Sequence, residues 1–187
     1  YIEHLQKYEV DYGEVNLSGA GEGSVEIMTI HKSKGLEFSI VILAGMGKQF
    51  NMQDLNARLL IHPDYGLGAD AILPDRRMIV STLYKQVIRR KLLEETLGEE
   101  IRVLYVALTR AKEKLIMTGT IGNLEKRLLS LYRFRENEQE LLPAETRLNG
   151  KTYWDYVLPA LARHRCMDEL FEEFGLLPSH DNLLYDD

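Results

Sequence analysis

The stretch from Glu99 to Lys114, EEIRVLYVALTRAKEK, limits what this chain can fold into more than any other. Ile101, Leu104, Tyr105, Leu108 and Ala111 recur at helical spacing. Val103, Val106 and Ala107 make a second apolar side, so the spacing predicts a helix buried on two faces that runs on into a strand. A helix covered that well has little room for a bare cation, yet Arg110 stands near its end, between Thr109 and Ala111. A guanidinium is always charged, and its planar fork fits a phosphate. Two readings stay open on the residues alone. Arg110 caps the helix or pairs with a carboxylate, or a rigid helix end aims it at a transferring phosphoryl group. Composition by itself favours the first, because ordinary ion pairs are common.

Three β-prone runs accompany this helix: Val25 to Ile30 (VEIMTI), Ser39 to Ala44 (SIVILA) and Lys114 to Thr118 (KLIMT). Near-continuous apolar strands suit a parallel sheet covered on both faces, which predicts an α/β fold. Between the first two runs lies HKSKGLEF, His31 to Phe38. Ligands of open α/β sheets bind outside the carboxyl ends of strands. His31, Lys32, Ser33 and Lys34 leave the first run at such an end, Gly35 allows a tight turn, and Glu37 follows. These residues fit an anion-contacting loop, while the plain reading is a solvated turn.

No phosphate-binding loop accompanies them. A Walker A pattern needs two glycines at a fixed gap, followed by Lys and Ser or Thr. The segment NLSGAGEGS lacks the lysine and the spacing, and Gly45-Met46-Gly47-Lys48 fails because Ile42 and Gln49 stand at the other required positions.

Elsewhere the chain reads more simply. Gly45 to Asp75 is expected to be an irregular surface excursion, with a short strand at Arg58 to His62 and a turn at PDYGLG. Thr82 to Leu97 is rich in helix formers and should join the Arg110 helix through Gly98. Its basic patch, Arg89, Arg90 and Lys91, either pairs with Glu94 and Glu95 at helical spacing or faces a nucleic acid. Asn123 to Phe134 is amphipathic, Glu136 to Gly150 is linker-like, and Tyr153 to His164 is an apolar helix interrupted by Pro159.

Composition narrows the function classes. Apolar residues make up 45% of 187, enough for a core. No apolar run reaches the roughly 18 residues of a membrane span, and the polar N-terminus does not read as a signal peptide. Cys166 is the one cysteine, which excludes intrachain disulfides and cysteine-ligated metal sites and suggests a reducing, cytoplasmic setting. The net charge of −6 argues against tight nucleic-acid binding by the chain alone. The charge is uneven, however. Residues 1–135 hold 19 Lys and Arg against 17 Asp and Glu, and residues 136–187 hold 4 against 12. Any anion site therefore belongs to the first part.

Two stretches carry a family resemblance. RVLYVALTRAK, Arg102 to Lys112, resembles the last conserved motif of the UvrD-like superfamily 1 helicases, built around Tyr-Val-Ala-x-Thr-Arg-Ala. TIHKSKGLEF, Thr29 to Phe38, resembles another of their motifs, Thr-x-His-x-x-Lys-Gly-x-Glu-Phe. The resemblance implies a RecA-like NTPase lobe without its own P-loop, with a parallel-rich sheet and helices on both faces. It implies that Arg110 is an arginine finger reaching the ATP γ-phosphate. It places Lys34, Gly35 and Glu37 with Arg110 on the nucleotide side, and Thr29, His31, Lys32 and Ser33 on the single-stranded DNA side. ATP and Mg²⁺ would serve the full-length protein, with the metal held by the missing N-terminal lobe and no metal ligand in this chain.

GKQFNMQDLN, the YGLG turn and YWDYVLPALARH are similar to the AddA (RexA) branch of that family, a helicase–nuclease subunit of double-strand break repair. On this resemblance residues 1–14 end an inserted 2B-like helical region, 15–135 form the RecA-like lobe, and 136–187 form an acidic linker and helix leading toward a nuclease domain. The chain, which starts at Tyr1, then reads as a fragment. Implied partners are single-stranded and duplex DNA, the N-terminal lobe of the same chain and an AddB/RexB-type subunit, with no membrane. Alternatives are a UvrD- or PcrA-type repair helicase without nuclease, a degenerate RecA-like interaction module, and an unrelated Rossmann-type enzyme. The last would need a Gly-rich loop after a strand.

Overall fold

The computed structural model describes residues 24–135 and 141–176. The expectations for residues 1–14 and for the Gly-rich connector before Ser24 lie outside the described residues. Strand β1, Phe38–Leu43, pairs in parallel with β5, Ala111–Met117, with Val41 opposite Leu115 and Leu43 opposite Met117. Between them come an antiparallel meander of β2 (Leu59–His62), β3 (Gly66–Leu73) and β4 (Met78–Ser81), and then helix α1, Leu83–Leu108. Helices α2 (Leu124–Tyr132), α3 (Ala144–Asn149), α4 (Trp154–Leu161) and α5 (Asp168–Glu173) follow β5. The parallel pair with its helices is the expected α/β arrangement. One face of β1 is open, with Ile40 58% and Ile42 62% exposed.

Helix α1 is unbroken for 26 residues, a span of roughly 39 Å. It starts where Thr82 Oγ1 accepts the Lys85 N–H at 3.2 Å and donates to the Ala69 carbonyl at 2.7 Å. That hydroxyl therefore caps the helix and ties it to β3. Gly98 does not interrupt it. The first half packs on the meander, where Gly68 permits close contact: Lys85 Cα stands 2.8 Å from where a Cβ on residue 68 would lie. The buried Lys85 ammonium is matched by Asp70 at 2.8 Å. The second half buries Leu104 and Ala107 against Leu43, Met46 and Tyr156. Burial on two faces is not what forms: Ile101 is 39% and Tyr105 69% exposed, because their face of α1 stands open.

Two further expectations are corrected. Val25 to Ile30 is not a strand; Ser24 to Thr29 pairs in no sheet among the described residues, and Val25 and Ile27 are almost fully exposed. A β-prone sequence becomes a strand only where a neighbour supplies ladder partners. Gly45 to Asp75 is not simply irregular, since beside β2, the short strand expected near Arg58 to His62, it contains all of β3. His62 fixes this part. Its buried ring accepts the Asp64 and Tyr65 N–H groups on Nδ1 at 3.1 and 3.3 Å, and Nε2 meets the Glu95 carboxylate of α1 at 3.2 Å. Gly66, at φ +70°, turns the chain into β3.

Residues 141–176 pack on what precedes them. Tyr156 joins the core of Leu43 and Leu104, and Phe50 meets Tyr153 edge-on at 5.1 Å. Leu128 and Leu131 of α2 pack with Ala162, Met167 and Phe171 in a second cluster. Asp155 joins the two parts, accepting from Arg127 Nη2 at 2.6 Å and from the Lys151 and Thr152 N–H groups at 2.8 Å each.

Burial pushes the Asp155 carboxyl up, but the Lys151, Thr152 and Arg127 donors outweigh it and hold it below its ordinary value of 3.8. A carboxylate lowered on folding stabilises the fold above its unfolded pKa, and that contribution is lost as pH falls through the folded one. Asp155→Asn should therefore lower Tm at neutral pH, and the gap from wild type should close below about pH 3.8. Thermal melts at stepped pH check this; a gap that stays constant down to pH 2 would contradict it.

Candidate nucleotide and DNA edge

The segment after Thr29 is a compact turn held by its own side chains. Thr29 Oγ1 accepts the Lys32 N–H at 3.2 Å, and its carbonyl accepts the Ser33 N–H, also at 3.2 Å. Ser33, buried, donates through Oγ to the Ile30 carbonyl at 2.7 Å. The Leu36 N–H returns to the Ser33 carbonyl at 3.0 Å, with Gly35 at φ +84° making the reversal a side chain would resist. His31, Lys32, Lys34 and Glu37 remain exposed around this turn. Its shape is thus set by Thr29, Ser33 and Gly35, and its outward chemistry by the other four.

Arg110 meets the end of this turn. The Phe38 N–H donates to the Arg110 carbonyl at 2.9 Å, where β1 begins beside β5. The half-buried guanidinium donates through Nη1 to the Leu36 carbonyl at 2.9 Å, across 74 residues of sequence. Nε donates to the Val106 carbonyl and Nη2 to Thr109 Oγ1, each at 3.0 Å. A guanidinium has five N–H donors, so these three bonds leave two for an incoming anion. Helix end, turn and Arg side chain are locked together, and among the described residues no carboxylate pairs with Arg110. Glu37 has its own cation, Lys112, at 3.2 Å.

Thus Gly35, Leu36, Glu37, Arg110 and Lys112 gather at one edge, where β1 and β5 start. Thr29 and Ser33 occupy the same turn but spend their side-chain bonds within it, and His31 and Lys32 stand exposed on it. Thr109, Lys112 and the Leu36 carbonyl belong to this edge by their contacts with Arg110 and Glu37 and were not singled out from the sequence. Thr109 and Lys112 lie inside RVLYVALTRAK and could have been weighed; a backbone carbonyl leaves no sequence signal. The basic patch of α1 is occupied: Arg89 holds the Leu55 carbonyl and Asn56 Oδ1, Arg90 pairs with Glu94 at 2.9 Å, and Lys91 with Glu95 at 3.6 Å. Among the described residues no group of three or more His, Cys, Asp or Glu could hold a metal ion, and no helix is long and apolar enough to cross a membrane.

Comparison with known proteins gives the family. A model of the UvrD-like helicase C-terminal domain matches residues 5–121, which include both motifs. An ATP-dependent helicase/nuclease subunit of Clostridium kluyveri is 45% identical over 166 residues, or 89% of this chain and 13% of that protein. Its namesake from Clostridium botulinum strain Loch Maree is 43% identical over 186 residues, or 100% of this chain and 14% of that protein. The chain therefore spans about 13 to 14% of the length of these relatives. With both motifs meeting at one edge of an α/β fold, the chain belongs to the UvrD-like helicase C-terminal domain family.

Proposed function

We propose that this chain is the second motor lobe of an ATP-dependent DNA helicase/nuclease that acts in double-strand break repair. The carrying observation is the 2.9 Å bond from Arg110 Nη1 to the Leu36 carbonyl, which makes the two motifs one rigid edge. On this reading Arg110 turns its two remaining N–H donors to the γ-phosphate of ATP bound on the other lobe. Lys34, Gly35 and Glu37 border the same nucleotide. Thr29, His31 and Lys32 touch the single-stranded DNA backbone on the other side of the turn, while Ser33, buried and bonded to the Ile30 carbonyl, holds the turn in shape rather than meeting the strand. A displacement of the turn by DNA then reaches Arg110 through Leu36, a physical route for coupling strand movement to hydrolysis.

The phosphate loop and the acidic group that holds Mg²⁺ belong to the N-terminal lobe of the longer protein. Its partner is a second subunit of AddB/RexB type, and the nuclease lies in a further domain. Half a site cannot turn over ATP. The purified 187-residue chain should fold and show no ATPase with or without DNA. Steady-state phosphate release checks this, and hydrolysis that co-purifies with the folded chain would sink the reading.

A further inference from the structure

Where the two parallel strands begin, they fall out of step. Phe38 stands opposite Ala111 but Ile40 opposite Lys114, so two steps along β1 match three along β5. Lys112 and Glu113 lie inside this shift, against the single Ser39 of β1. An extra residue of this kind breaks the alternation of side chains along a strand and re-aims one of them. The side chain re-aimed here is Lys112. Its Nζ reaches Glu37 Oε2 at 3.2 Å, one residue before β1 starts.

Both side chains are exposed, and an exposed ion pair adds little to the stability of a fold. Its consequence is for the carboxylate. Glu37 follows Leu36, whose carbonyl takes the Arg110 Nη1 bond, and it is the one acidic residue in TIHKSKGLEF. A bare carboxylate at this edge would repel the phosphates that Arg110 attracts, and Lys112 cancels that charge. An ionised carboxylate only accepts hydrogen bonds. From a nucleotide it can therefore take a sugar hydroxyl or a base amino group, but no phosphate oxygen. The ion pair is made through Oε2, which leaves Oε1 for such a donor.

We propose that Lys112 is a positioning residue for the nucleotide: its ammonium holds the Glu37 carboxylate in place and cancels its charge beside the triphosphate. Lys112 itself touches no part of the nucleotide. It lies just outside the Tyr-Val-Ala-x-Thr-Arg-Ala core, at the first position after Ala111. This rests on the reading that the edge borders ATP, so the test follows Arg110 in the same assay.

The assay is steady-state ATP hydrolysis by the full-length protein with saturating DNA. Lys112→Ala should raise KM for ATP by roughly 3- to 10-fold, the coupling expected between neighbouring charged groups, and change kcat by less than about 2-fold. Lys112→Arg keeps the charge and should restore KM. Glu37→Gln keeps an acceptor and removes the charge that needs a partner. In that background Lys112→Ala should move KM by less than about 2-fold, because a residue that acts through the carboxylate has no effect without it.

An equal rise of KM in both backgrounds would mean that Lys112 meets the nucleotide directly, and would overturn the proposal. No rise with Glu37 present, a fall in kcat as large as the rise in KM, or failure of Lys112→Arg to restore KM overturns it as well. In each of these cases the reading of the edge stands if Arg110→Ala loses turnover. Normal turnover by Arg110→Ala overturns both.

Discussion

Arg110→Ala in the full-length protein is expected to lower ATP turnover by roughly 10³ to 10⁵, the contribution of an arginine finger to phosphoryl transfer. The expectation follows from position. The guanidinium is half-buried and held by the Val106 and Leu36 carbonyls and Thr109 Oγ1, so its remaining donors point in a set direction. Preorganised charge of this kind costs little reorganisation as the transition state forms. Arg110→Lys should rescue poorly, because an ammonium cannot bond the two carbonyls and a phosphate in one plane. Steady-state ATPase of both variants, with thermal melts of the 187-residue chain, checks this. A variant that melts far below wild type would assign Arg110 to stability, since its three bonds also close the end of α1. A stable variant with normal turnover would remove it from the mechanism.

Thr29→Ala and His31→Ala should each weaken DNA stimulation of the ATPase by about 10- to 100-fold, the range for losing a hydrogen bond to a charged group. Nucleotide affinity should change far less. Thr29 needs a control, because its hydroxyl also accepts the Lys32 N–H and shapes the turn. Thr29→Ser keeps that bond and should restore most of the stimulation. His31 is exposed with only its backbone in the turn, so its variant should fold normally. The DNA concentration giving half-maximal stimulation is the readout. A sharp loss of nucleotide affinity with stimulation intact would put these residues on the wrong side of the turn.

Much of the fold was legible where one element satisfies its own pattern. The apolar runs of β1 and β5 and the long helix-forming stretch of α1 appear where the sequence places them. The meander was not legible, because Pro63, Gly66 and Gly68 look like breakers in a linear reading. In space Gly66 supplies the turn and Gly68 the close approach to Lys85, so the breakers are what let β3 form. Val25 to Ile30 misled in the opposite sense, with strand composition and no ladder partner among the described residues.

The candidate site divides the same way. Arg110 and the turn are marked by residue type and by resemblance, yet their junction is not. It passes through the Leu36 carbonyl, which any residue at position 36 would offer, and so only the packing of α1 against β1 reveals it.

The central claim is that Arg110 stabilises the transition state of a phosphoryl transfer whose other half lies on another lobe. Its most direct test is the affinity of the full-length protein, wild type and Arg110→Ala, for a non-hydrolysable ATP analogue and for ADP with aluminium fluoride. An interaction made mainly in the transition state weakens the transition-state mimic and spares the ground state. The predicted result is a loss of roughly 10³ or more for the fluoride complex and less than about 10-fold for the ATP analogue. Equal losses for both, or none for either, would contradict the account.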